Sequence, residues 1–114
     1  MTKYLISFPS SAMSHLSDAE LERAATESHE VVREARAAGV WVFGGAIDED
    51  QPPVLALADG SVRPGTYPES ERIDGGFAIL DLPDYSEALA WAGRIAAACR
   101  CAQEVRVFHD DPES

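Results

Sequence analysis

The chain has 114 residues, the size of one compact domain, and its 46% hydrophobic and 25% charged residues exclude a disordered polymer. Nine Lys and Arg against 20 Asp and Glu give a formal net charge of −11. With no basic cluster to offset it, that charge argues against nucleic acid and against anionic membrane surfaces, since both bind through neutralisation of phosphate.

Residues 3–8, KYLISF, alternate Tyr4, Ile6 and Phe8 with Lys3, Leu5 and Ser7, the pattern of a strand, and Pro9 ends it. Ser17 with Glu20 three residues on forms a capping-box pattern that opens a helix running to about Ala38. Leu21, Ala25, Ser28, Val32 and Ala35 fall on one stripe of that helix, and Gly39 is a natural stop. Val40 to Phe43 is apolar at every position, so this strand needs cover on both faces. Val54 to Ala58 reads as a strand, and Asp59-Gly60 turns it into Ser61-Val62-Arg63. Gly76 to Leu82 is a further strand. Asp84 or Ser86 caps a second helix whose inner face carries Leu89, Ala92, Ile95, Ala96 and Cys99, with Trp91 at its edge. Gln103 to Phe108 is the last strand.

Strand, helix, strand, hairpin, strand, helix, strand predicts an α+β fold: a ferredoxin-like βαββαβ-type sandwich with an extra hairpin. Residues 1–109 form a single domain, and 110–114 form a polar tail. Both helices cover one sheet face. The other face is left open although VWVF and VLALA are apolar on both sides, so a homodimer through the open sheet face is expected. The N-terminus MTKYLISFPSSAM has neither the basic region nor the cleavage site of a signal peptide, and no apolar run approaches a membrane span. The expected location is cytoplasmic.

Cys99 and Cys101 are too closely spaced for an ordinary disulfide and too few for a zinc site, so one is expected on a helix face and one at the helix exit. No metal site is expected from His15, His29 and His109. The Gly-Gly pairs lack the strand-loop-helix context of a nucleotide motif, and no nucleophile elbow, Walker loop or HExxH occurs. No cofactor is expected. His29, in ESHEVV at the edge of the helical stripe, is the candidate acid or base; the alternative is a half-buried histidine bonded to a carboxylate. Tyr67 and Arg72, within GTYPESERIDGGF, are candidate binding residues at a pocket mouth, where an arginine holds a carboxylate in bidentate fashion. The same stretch also reads as a plain solvated connection into the Gly-Gly strand.

The segment GTYPESERIDGGFAILDLPDYSEALAWAGRIAAACRCAQEVRVF, together with KYLISF and REARAAGVWVFGG upstream, resembles the YCII-related superfamily and its DGPF branch. The resemblance covers nearly the whole chain and lies in the order and spacing of short motifs. It implies a dimeric α/β barrel in which two ferredoxin-like units join their sheets. It implies small lyase or dehalogenating chemistry, with His29 matching a recurrent helix histidine. Counted back from Gly75-Gly76-Phe77, the DGPF signature falls on Pro64-Gly65-Thr66-Tyr67, so Pro64 replaces its acid and no role of that acid carries over. Two functions follow. One is a small organic ligand held between helices and sheet, with lyase, isomerase or dehalogenase chemistry at His29. The other is a non-enzymatic accessory or regulatory protein acting through protein contacts.

Overall fold

The computed structural model describes residues 1–114. Its elements in chain order are β1 (Thr2–Phe8), α1 (Asp18–Ala37), β2 (Trp41–Ala46), β3 (Val54–Ala56), β4 (Val62–Pro64), β5 (Gly76–Leu82), α2 (Tyr85–Cys99) and β6 (Glu104–Val107), with short 3-10 turns at Ser10–Met13 and Pro68–Ser70. Local chemistry sets the helix ends. Ser17 accepts from the Glu20 amide and Glu20 reaches back, closing the capping box on α1. Asp84 accepts from the Glu87 amide at 2.8 Å and starts α2. Gly39 leaves α1 at φ +75°, while Arg100 ends α2 at φ 59°.

Four strands form one antiparallel sheet in the order β2-β5-β1-β6. This is the ferredoxin-like arrangement of two split βαβ units, with β3 and β4 inserted as a separate two-stranded hairpin. Tyr4, Ile6, Ala78, Leu80 and Leu82 of the sheet pack with Ala35 of α1 and Ala88, Trp91 and Ala92 of α2, so both helices lie on one face. Ion pairs Arg94–Glu34 and Arg100–Glu27 tie the helices together.

The helices present somewhat different residues from those their periodicity predicts. Ala24 and Ala35 are the buried residues of α1, whereas Leu21 is exposed. Alanine allows the closest approach of a helix to a sheet, so the small residues set the phase. In α2 the indole of Trp91 is in the core and Leu89 is exposed. The larger ring gains more from burial, and the Arg94 guanidinium caps it 4.3 Å from its centroid. The stretch VWVF is not covered on both sides. A register shift between Trp41 and Phe43 sends the indole to the helix side and leaves Phe43 64% exposed.

Candidate functional site

A cavity of about 420 Å³ lies between α1, α2 and the sheet. Aromatic rings and glycines shape it together. The Trp41 ring lies so close over Gly44 that a Cβ there would sit 2.4 Å from it, and a Cβ on Gly76 would sit 2.6 Å from the Phe8 ring. Glycine is therefore what lets both rings lie flat along the wall. Val31, Val32 and Ile95 line the helix side.

The polar lining comes from Ser28, His29 and Arg36 of α1 and from Gln103 at the start of the last strand segment. Seven residues separate His29 from Arg36, which places them two turns apart on one helix face, roughly 10 Å along the axis. Arg36 takes part in no ion pair. Of the 20 Asp and Glu in the chain, none lines this cavity. In so acidic a protein, this largely apolar cavity carries only cationic or neutral groups, the composition that suits a ligand with an acidic oxygen. Gln103 donates through Nε2 to the Cys101 carbonyl at 3.3 Å, so its amide oxygen is left to accept.

Cys99 also lines the cavity. Burial, followed by the neighbouring Cys101, pushes its thiol up to about 11. It holds its proton at neutral pH and is no nucleophile. Desolvation raises Cys101 as well. Both cysteines are free, Cys99 on the buried face of α2 and Cys101 just past its end.

His29 sits at the cavity mouth, exposed, and bonds to no carboxylate. Arg72 lines a second groove of about 380 Å³ on the other side of the sheet, with Leu5, Ser7 and Arg106. Tyr67 is 70% exposed and lines neither space; its carbonyl accepts from the Ser70 amide at 3.1 Å. The stretch GTYPESERIDGGF thus holds Tyr67 in solvent and Arg72 in a groove apart from the cavity. Within it Gly75 has φ +84°, where a Cβ would lie 2.0 Å from the Phe8 carbonyl oxygen. His15 and His109 are exposed, far apart in the chain, and no three His, Cys, Asp or Glu side chains come together as a metal-binding group. No helix is long and apolar enough to cross a membrane.

Arg36 and Gln103 emerge as site residues only from the fold. The signal for Arg36 was its seven-residue spacing from His29. Gln103 had no sequence signal, because its place depends on how β6 returns beside β1.

No family model and no curated protein matches the chain. Among solved structures it is similar to 5-chloro-2-hydroxyhydroquinone dehydrochlorinase from Burkholderia phenoliruptrix AC1100, solved in complex with 2,5-dihydroxybenzoquinone. The match covers 97% of each chain at a TM-score of 0.51 and 14% identity. That likeness shows a distantly shared fold.

Proposed function

We propose that the chain binds a small planar ring compound bearing acidic oxygens in the cavity between its helices and sheet. The observation that carries this reading is the cavity lining: aromatic walls, Arg36 and His29 on one helix face, and no carboxylate among 20 in the chain. In this reading the ring stacks along Trp41 and Phe8, an oxygen meets the Arg36 guanidinium, and Gln103 accepts from a ring hydroxyl. His29 stands at the mouth, where its imidazole would serve as the acid or base. The chemistry would be a lyase, isomerase or dehalogenation step. The shared fold of a dehydrochlorinase solved with a dihydroxybenzoquinone supports this class, as does the resemblance to YCII-related proteins of the DGPF branch. Two free cysteines suit a reducing, cytoplasmic setting.

The test is calorimetric titration of the protein with 2,5-dihydroxybenzoquinone and a panel of hydroxybenzoates. Ser28→Phe, which fills the cavity from α1, should abolish binding. Arg36→Ala should weaken it about tenfold, in line with loss of one charge-assisted contact. His29→Gln should retain binding and lose turnover. Binding that survives Ser28→Phe unchanged would place the ligand elsewhere and defeat the proposal.

A further inference from the structure

The groove on the other side of the sheet has a chemistry of its own. Strand alternation turns Leu5 and Ser7 of β1 away from the helices. The register sets Phe77 and Glu104 on either side of Ser7, and Arg106 beside Leu5. The segment that leads into β5 overhangs this floor and closes a groove of about 380 Å³. The overhang is anchored. Asp74 Oδ1 accepts from the Ser10 amide at 2.9 Å, just past the end of β1. The groove shares Phe8 and Phe77 with the cavity but none of its polar groups.

Five charged side chains line the groove, and three of them are already engaged. Asp74 is held by the Ser10 amide. Arg106 Nη2 and Glu104 Oε2 lie 3.5 Å apart as an ion pair. Glu69 and Arg72 remain, three residues apart on the overhang, and neither enters an ion pair. Ser7 is only 4% exposed, and its hydroxyl bonds to no group of the chain. A hydroxyl so placed has given up most of its water without gaining a partner, and an acceptor brought into the groove restores the bond. One free cation, one free anion and one unengaged hydroxyl thus face each other over an apolar floor of Leu5 and Phe77, with Ile73 at the wall.

We propose that this groove is a second ligand site and that it takes a free α-amino acid with an apolar side chain. The carboxylate meets the Arg72 guanidinium and accepts from the Ser7 hydroxyl. The ammonium meets Glu69. The side chain lies along Leu5, Phe77 and Ile73, where Ile73 is otherwise 59% exposed. Charge selects the class. A plain carboxylate would meet three acids in the groove and a chain of net charge −11, and a plain amine would leave Arg72 unmatched. A zwitterion satisfies both free charges and brings no net charge.

The test is calorimetric titration of the full chain with L-leucine and L-phenylalanine, beside their N-acetyl derivatives and their amides. Both amino acids should bind saturably. Blocking either charged end should weaken binding at least tenfold, since each removes a charge-assisted contact. Arg72→Ala and Glu69→Gln should each weaken it about tenfold, and Ser7→Ala about threefold. Glu69 and Arg72 are exposed, so circular dichroism of their variants should remain native. Ser28→Phe, which fills the cavity, should leave this binding unchanged, and 2,5-dihydroxybenzoquinone should not compete with it. In methyl NMR the Leu5 and Ile73 signals should shift while Val32 stays still. Absence of binding up to about 10 mM would overturn the proposal. So would binding that Arg72→Ala leaves unchanged, or an N-acetyl derivative as tight as its parent, which would make the ligand a simple carboxylate. Loss of amino acid binding in Ser28→Phe would place the ligand in the cavity and overturn it as well.

Discussion

One sheet presents two faces, and the same strands build both. On the helix side, Leu80 and Leu82 are fully buried; one residue along, Ile79 and Asp81 lie half open on the other. The helix side contains the apolar cavity, with Arg36 and His29 among its polar lining and no acid. The open side contains a groove with Glu69, Asp74 and Glu104 facing Arg72 and Arg106. Strand alternation alone creates this division. One face carries the hydrophobic core and the cavity, and the other is left without a helix to cover it.

That division breaks most visibly under truncation. Leu80→Ala should cost about 2–5 kcal/mol of stability, since it opens a cavity in the core. Ile79→Ala should cost much less, since Ile79 lies half open on the uncovered face. Urea unfolding of both variants checks the pair. Equal destabilisation would mean that the open face is as much core as the other. Gly75→Ala should rank close behind Leu80→Ala, at about 3 kcal/mol, because φ +84° and the nearby Phe8 carbonyl leave no place for a methyl.

Alkali sharpens the same contrast. Cys99, on the cavity side, holds its proton up to about 11 in the folded chain against an ordinary value of 9.0. A raised pKa in the folded chain means that the unfolded chain loses the proton first. Stability from this source is complete below pH 9 and declines from there to about 11. Cys99→Ser should flatten that part of the Tm–pH curve. In acid, Glu27 is held below its ordinary 4.5, first by its hydrogen bond with Arg100. Its contribution is present above 4.5 and is lost as pH falls through the folded value. The effect should be small because the pair is exposed, and Glu27→Gln should remove it. Ser17→Ala, which deletes the cap of α1, should cost about 1 kcal/mol by thermal unfolding.

Much of the fold was legible because local rules decide it. The capping box at Ser17, the alternation in KYLISF, the Asp84 cap and the stop at Gly39 fixed most of the boundaries and hence the element order. Packing decided what these rules leave open. Which side of α1 faces the sheet depended on Ala24 and Ala35 coming closest, and a repeat of helical spacing fits more than one phase. The place of VLALA was also a tertiary matter, since its apolar residues read equally as a sheet strand and as a free hairpin. For the site, His29 could be singled out by its chemistry and its place on the helix. Its company could not. Arg36, Gln103 and the two rings laid over Gly44 and Gly76 meet only once the sheet has formed.

The most direct measurement labels methyl groups on both faces and follows them by NMR as 2,5-dihydroxybenzoquinone or a hydroxybenzoate is added. Val31, Val32 and Ile95 report on the cavity; Leu5 and Ile79 report on the open face. The account predicts saturable shifts for the first set, with the second unmoved, and their loss in Ser28→Phe. Shifts confined to Leu5 and Ile79, with a silent cavity, would contradict it.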